Sequence, residues 1–453
     1  MLRALFFILL IEGFVTISVE ILAIRQLMPF YGSNIIITSM VIGIFLLFLA
    51  IGYWRGGTHH DHFFKKISRN FSFSLVWVGF GLSYSFVAWY YLLANVKFST
   101  PYLINLTLYL LIIIAPTVYW LGQTIPLTTN LFSEELRVSH ISGRALFVST
   151  IGSFLGAILT SLILFHYLGV AWTVFINCLL LFLLVLYLMP YSRFSIFTVL
   201  GLSFALILIF QLNVNVEKVF FKLTNNYANY KIETHSDFSK TLQINNSLSS
   251  KITPNNKALS YIEFLRNILF KHMDLKNKKI LVIGAGGFTF SAAGTHQNDI
   301  TYVDIDPALK KLAEEHFLKK PIKGKFIGQD ARQFLQQSHQ RYDLIISDVY
   351  SHQISIPPSL LTIEYFQKIA EHLTPSGLFI ANIIANPFFK DDYSQRLHQT
   401  LTSVFPYCSI IPLNWGSKVA NIIYICNAKN QKASIYSDNY NQSTIDFFKL
   451  HQQ

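Results

Sequence analysis

The apolar positions of this chain change their rhythm once, near residue 212. Before it they run in nearly unbroken blocks of roughly 20 residues, the length that crosses a hydrocarbon layer as helix. The blocks fall at 4–24, 34–53, 72–94, 102–121, 145–168, 171–189 and 194–212, which predicts about seven membrane helices. The first is not a cleavable leader, because it holds Glu12 and Glu20 and further blocks follow at once. After residue 212 the apolar runs become short and alternate with amphipathic stretches. Strands are expected at 280–284, 300–305, 325–328, 343–347, 377–384, 408–413 and 421–427, with helices in the gaps. Strand and helix in alternation predict a mostly parallel sheet covered on both faces. Ahead of it, YKIETHSD and KTLQINNS flank a turn and read as a small β-hairpin, and ALSYIEFLRNILFKHM reads as an amphipathic helix. Two domains follow: a transmembrane domain over 1–212 and an α/β domain over 213–453.

Composition sharpens that division. The chain of 453 residues is 52% hydrophobic and 13% charged, against about a quarter charged in ordinary soluble domains. Residues 1–212 hold 10 Lys and Arg and 5 Asp and Glu; the remaining 26 and 19 lie in 213–453. The positive charge of the second half is thinly spread and is not interleaved with aromatics, so no nucleic-acid partner is expected. Cys178 falls in an apolar block. Cys408 and Cys426 fall in expected strands and read as buried thiols, with no disulfide framework and no metal spacing.

Within the apolar half, Glu12 and Glu20 are eight residues apart on one helical face, which Arg25 completes. They read as a polar contact or an internal ion pair. Gly152 and Gly156 form a small-xxx-small pair of the kind that packs helices closely. Pro116 and Pro126 suggest a broken or re-entrant turn at the end of the fourth block. The basic residues Arg3, Arg55, Lys65, Lys66, Arg69, Arg137, Arg144 and Arg193 fall at one end of the blocks, with Arg25 and Lys97 at the other. The positive-inside rule then puts the N-terminus in the cytosol. Seven crossings would leave the α/β domain outside, whereas a cytosolic nucleoside argues for the inside. The sequence leaves the side open.

The chemistry lies in KKILVIGAGG, ITYVDIDP, FIGQDARQF and RYDLIISDVY, within 278–350. Each apolar run ends in Gly or Asp, as strands do when their carboxyl ends hold a nucleoside. Gly284, Gly286 and Gly287 sit where a strand turns into a helix, so the backbone can approach a ligand. Asp304 lies 20 residues after Gly284 at the next strand end, suited to ribose hydroxyls. Asp306 is suited to capping the helix that follows. Asp330 ends the third strand, suited to an adenine amine or to capping a helix. Asp348 ends the fourth and is the candidate general base. Asp343, at the start of that strand, reads as structural.

These residues resemble the spermidine synthase (polyamine aminopropyltransferase) family over roughly 228–430, through the hairpin, Tyr261-x-Glu263, the Gly loop, VDIDP, QDAR, YDLIISDVY and Thr362–Tyr365. The multi-span half, with SGRALFVSTIGSFLGA, resembles its membrane-fused branch. The resemblance implies a Rossmann-like α/β fold of the class I methyltransferase type. It also implies aminopropyl transfer from decarboxylated S-adenosylmethionine to an amine, with no metal. Asp304 would hold ribose, Asp330 and Ala331 adenine, and Asp348 would be the base, with Tyr261, Glu263 and Tyr350 at the acceptor. The family's Gly-loop aspartate is absent from GAGGF, its histidine is Ile262, its glutamine after the hairpin is Ser249 or Ser250, and its second acid is Ser351. The nucleoside half of the site therefore survives better than the amine half. Methyl transfer from S-adenosylmethionine, and a non-catalytic nucleoside or polyamine sensor coupled to a transport-like bundle, are the alternatives. The expected location is a cell membrane of the bacterial inner type, in contact with lipid, and a homodimer is an expectation.

Overall fold

The computed structural model describes residues 2–32, 35–94, 101–131, 138–192, 195–350 and 356–427. The first half is a bundle of apolar helices: α1 (Leu2–Tyr31), α2 (Ile35–Gly57), α3 (Phe63–Gly81), α4 (Tyr84–Leu92), α5 (Tyr102–Asn130), α6 (His140–Leu168), α7 (Val170–Ser192) and α8 (Ile196–Phe220). Six of the described helices are long and apolar enough to cross a membrane, and the pair α3 and α4, bent by 62°, passes the same test only when taken together, as a broken span or a re-entrant loop. The sequence reads one block over 72–94; the structure starts it at Phe63 and breaks it before Tyr84. The break is local capping: Ser83 takes an extended backbone and its hydroxyl accepts from Phe86 N. Between Pro116 and Pro126 the chain loses regular bonding at Gln123 and resumes as helix to Asn130. A π-helical stretch over Leu110–Ile114 lies ahead of Pro116.

The glycine pair does what its spacing suggests. A Cβ on Gly152 would lie 2.0 Å from Leu10 O, and one on Gly156 would lie 2.4 Å from Phe14 O. Helices α1 and α6 thus touch backbone to backbone, and Gly13 meets Ser149 O from the other side. Glu12, buried there, accepts from Thr16 Oγ1 at 2.8 Å and Ser149 Oγ at 3.2 Å. Large apolar side chains point outward from the bundle, with Phe197 79% and Phe147 66% exposed.

The second half holds two sheets. Strands β1 (Leu223–Thr224), β2 (Asn229–Thr234), β3 (Lys240–Ile244) and β4 (Ser247–Ile252) form an antiparallel sheet in that order. The expected hairpin is β2–β3, and β4 extends it beyond the sequence reading. The large sheet comprises β5 (Lys279–Ile283), β6 (Asp299–Asp304), β7 (Lys325–Gly328), β8 (Tyr342–Ser347), β9 (Leu373–Ala385), β10 (Cys408–Pro412) and β11 (Ala420–Asn427). Its order is β10-β11-β9-β8-β5-β6-β7, parallel from β7 to β9, with β11 and β10 antiparallel at the edge. This is the Rossmann-like arrangement that the alternation of strand and helix implies. Alternate residues feed opposite cores. Leu281 and Ile283 pack with Phe366 and Phe379, while Ile280 and Val282 pack with Tyr302 and the small sheet's Tyr230 and Leu242.

One sequence reading is overturned at the sheet edge. Cys408 and Cys426 are disulfide-bonded, not free thiols. They sit directly opposite each other in the β10–β11 ladder, a pairing that their separation along the chain does not reveal.

Arg25 also departs from its sequence reading. It does not join Glu12 and Glu20 but reaches across to the second half. Its Nε donates to Asn225 O and its Nη2 to Asn229 Oδ1, each at 2.7 Å. Asn246 Nδ2 adds a bond to Pro29 O at 3.4 Å. Replacing Arg25 by Met keeps the apolar stem and removes both charged donors, a loss of about 1.5–3 kcal/mol per bond. The thermal midpoint of the detergent-solubilised full chain should therefore fall; an unchanged midpoint would show that the junction carries no weight.

Candidate functional site

The site forms where the strand order reverses. Strand β5 lies between β6 and β8, and the crossovers leave its two sides in opposite directions. A crevice opens there at the carboxyl ends of the strands. Gly284 ends β5 at φ +88°, and a Cβ on it would lie 2.1 Å from Asp348 O. No other residue type satisfies both the conformation and the contact. Gly286 follows at φ +47°, and Gly287 N donates to Ser250 Oγ at 2.8 Å. The helix expected after this loop is not formed. Phe288 takes a left-handed conformation and buries its ring against Tyr302 and Phe326, and only a 3-10 turn over Thr289–Ser291 follows. Most of the loop's backbone amides are engaged within the protein: Gly284 N donates to Val303 O, Ala285 N to Asp304, Gly287 N to Ser250 and Phe288 N to Ala285 O.

Asp304 at the end of β6 is held by two backbone amides. Ala285 N donates to Oδ2 at 2.9 Å and Asp306 N to Oδ1 at 3.2 Å. Burial pushes its carboxyl up to about 6, against those two bonds. Asp306 is buried and caps the next turn, accepting from Ala308 N at 2.9 Å. Its other oxygen accepts from Asn225 Nδ2 at 2.7 Å and Tyr230 Oη at 2.5 Å. Asp330 caps the helix Ala331–Gln337 through Gln333 N at 3.0 Å, and both Asp330 and Ala331 line the cavity.

Asp348 follows β8 and is fixed on both oxygens. Tyr261 Oη donates to Oδ2 at 2.7 Å and Asn382 Nδ2 to Oδ1 at 2.9 Å. Burial raises its carboxyl above the usual range, and these two bonds oppose the rise. Asn421 Nδ2 donates to Asn382 Oδ1 at 2.8 Å, which fixes the amide that faces Asp348. Tyr350 lines the cavity, but its hydroxyl is engaged by the β9 backbone, donating to Asn382 O at 2.9 Å and accepting from Ile384 N at 2.7 Å.

One cavity of about 860 Å³ joins these groups. Gly284, Gly286, Asp304, Asp330, Ala331, Tyr261, Asp348 and Tyr350 line it, together with Met28 from the end of α1. Gly287 is held behind the loop by Ser250. Glu263 is not brought to the cavity. It accepts from Ala258 N at 2.8 Å and from Arg266 Nη1 at 2.7 Å, which neutralises it away from the site. Ser351 lies outside the described residues. Among the described lining residues the carboxylates are Asp304, Asp330 and Asp348. Sequence reasoning passed over Asn382 and Asn421. Each is a lone amide in an apolar strand, FIANIIA and ANIIYIC, and a polar residue there needs a buried partner.

The second half of the chain is similar to known proteins. Residues 260–435 match the family model "Spermine/spermidine synthase domain". A probable polyamine aminopropyl transferase of Bifidobacterium longum is 31% identical over 128 residues, 28% of each chain. The polyamine aminopropyltransferase of Vibrio vulnificus is 29% identical, covering 35% of this chain and 54% of its own. An eEF1A lysine and N-terminal methyltransferase homolog of Drosophila melanogaster is 29% identical, covering 34% of this chain and 24% of its own. This chain thus spans from about a quarter to about half of the length of these relatives. Among solved structures, a probable spermidine synthase from Corynebacterium glutamicum is 24% identical with a TM-score of 0.39, covering 47% of this chain and 80% of its own. Over residues 260–435, the α/β half of this chain is thus similar to the spermine/spermidine synthase domain family.

Proposed function

We propose that this protein is a membrane-embedded transferase that moves an aminopropyl group from decarboxylated S-adenosylmethionine to an amine. The observation that carries the reading is Asp348, fixed by Tyr261 and Asn382 and facing the same cavity as Asp304 and Asp330. The Gly loop lets the donor's nucleoside approach the backbone, Asp304 accepts from its ribose hydroxyls, and Asp330 with Ala331 borders its adenine. That arrangement points the sulfonium toward Asp348. An ammonium has no lone pair, so the acceptor must lose a proton before it attacks. Asp348 takes that proton, the nitrogen bonds to the aminopropyl carbon, and the carbon–sulfur bond breaks. Its electron pair stays on sulfur, and methylthioadenosine leaves neutral. Burial keeps the Asp348 carboxyl closer to neutrality than an exposed one, which suits a base.

Methyl transfer from S-adenosylmethionine is the second reading. It is favoured by the shortage of carboxylates around Asp348, where Glu263 is paired with Arg266 instead of facing an amine. The product decides between them: methylthioadenosine for the first, S-adenosylhomocysteine for the second.

The membrane part of the proposal rests on the six apolar helices, on the bent pair α3 and α4, and on the large apolar side chains that face away from the bundle. Hydrocarbon is the environment that such a surface fits. The expected division at 212 falls inside α8, so we place the boundary after Phe220, where the small sheet begins at Leu223.

Replacing Asp348 by Asn keeps size and polarity but removes the base. Turnover should fall by about 10²–10⁴-fold, with nucleoside affinity nearly unchanged by calorimetry. Full turnover with an amine acceptor would rule out this base. The pH dependence of binding tests Asp304. Its carboxyl titrates near 6, and protonation removes an acceptor for ribose. The proton and the nucleoside therefore compete, and affinity should fall about tenfold per pH unit below that value and level off above it. Affinity that stays flat through this range would remove Asp304 from the ribose site.

A further inference from the structure

The bundle has two distinct ends, and the contacts of the described residues identify each. At one end Arg25 bonds to Asn225 and Asn229, Thr224 Oγ1 accepts from Val170 N at 3.3 Å, and Ala171 N donates to Glu217 at 2.9 Å. The α/β half sits here, with the end of α1, the α6–α7 turn and the end of α8. At the other end Asn130 Nδ2 donates to His59 O at 3.3 Å, and Phe64 stacks on Tyr191 at 5.2 Å. The α2–α3 connection, the end of α5 and the end of α7 meet there. The bend after Gly81 returns the chain to the first end, since Tyr84 Oη donates to Glu217 at 2.9 Å. Followed end to end, the chain crosses the bundle an odd number of times before the α/β half begins.

Charge separates the two ends. Arg55, Lys65 and Arg69 are exposed at the far end. Arg144, near the start of α6, is exposed at that end too, whereas the exposed basic residues at the near end are Lys218 and Lys222, at and just after the end of α8. Arg25, the basic residue of α1 at the near end, is buried in bonds to the α/β half. Lys and Arg in short connections mark the cytosolic side, and the charge of a long domain does not count against this. Redox chemistry gives a second, unrelated indication. Cys408 and Cys426 are bridged in the α/β half. Such bonds persist in oxidising compartments and are rare in the cytosol.

We infer that the α/β domain and its cavity lie on the non-cytosolic face of the membrane and take their substrates from that side. The inference rests on the membrane reading above. The donor carries a permanent sulfonium charge and does not pass a bilayer unaided, so an export step must precede the transfer.

The test uses the full chain in spheroplasts of an expressing bacterium, with a membrane-impermeant maleimide. Arg396, whose side chain is 81% exposed on the α/β half, and His60, exposed at the far end, are each replaced by Cys. Cys178 is buried and is no competing target. The expected result is labelling of Arg396→Cys before permeabilisation and of His60→Cys only after it. The reverse pattern would overturn the inference. So would free Cys408 and Cys426 thiols in cells quenched directly with a permeant alkylating agent, where the bridged pair should resist until reduced. Release of the chain from membranes by alkaline carbonate would instead overturn the membrane reading itself, so the two failures are separable.

Discussion

The carboxylate of Asp306 is where the three parts of the molecule meet. It is buried and accepts from Tyr230 of the small sheet, from Asn225 of the segment before it, and from Ala308 of its own turn. A buried carboxylate without such donors would cost several kcal/mol. The fold therefore has to deliver them together. Asn225 in turn offers its carbonyl to Arg25, so the demand passes into the apolar bundle. On the other side the Asp306 amide donates to Asp304, the carboxylate in the cavity wall. A chain of polar contacts thus runs from α1 to the nucleoside side of the site. Every donor to Asp306 belongs to the second half, and Arg25 joins the bundle to this cluster through the Asn225 carbonyl.

The remaining geometry follows from sheet order. Because the crossovers leave β5 toward opposite sides of the sheet, its carboxyl end opens a crevice that neighbouring loops line but do not fill. The contact between Gly284 and the Asp348 carbonyl sets the width of that crevice, and Tyr261 and Asn382 set the aim of the Asp348 side chain. The nucleoside side is acidic and amide-lined. The acceptor side is mainly hydroxyl, amide and apolar, since Glu263 is spent on Arg266. This asymmetry distinguishes the site more than any single residue does.

Much of this was legible in the sequence because it is local. Asp304, Asp330 and Asp348 each end a short apolar run, and the alternation of strand and helix, which makes the strands parallel, puts those ends on one edge. Gly152 and Gly156 advertise close packing by their spacing. What was not legible depends on partners distant in the chain. The Cys408–Cys426 bridge needs the β10–β11 register. The turning away of Glu263 is by contrast local, toward Arg266 and the Ala258 amide, a pairing that the sequence reading passed over. The destination of Arg25 needs Asn225, two hundred positions on. The bend at Ser83 is a local signal, a capping serine inside an apolar block, overlooked because hydropathy averages across it. The fate of the helix expected after the Gly loop depends on distant partners again, since Phe288 packs into the core against Tyr302 and Phe326.

The backbone contact of Gly13, Gly152 and Gly156 has a mechanical consequence. Helix α1 is clamped to α6 along this face, with no side-chain cushion to absorb sliding. From Gly13 to Arg25 the helix rises by about 18 Å. Over that length it acts as a stiff rod whose far tip carries Arg25 and, one turn on, Met28 in the cavity wall. Widening the clamp by a single methyl would tilt or translate the rod and carry the displacement to its tip. A substitution in the interior of the bundle would thus act as an adjustment screw on a pocket that it never touches.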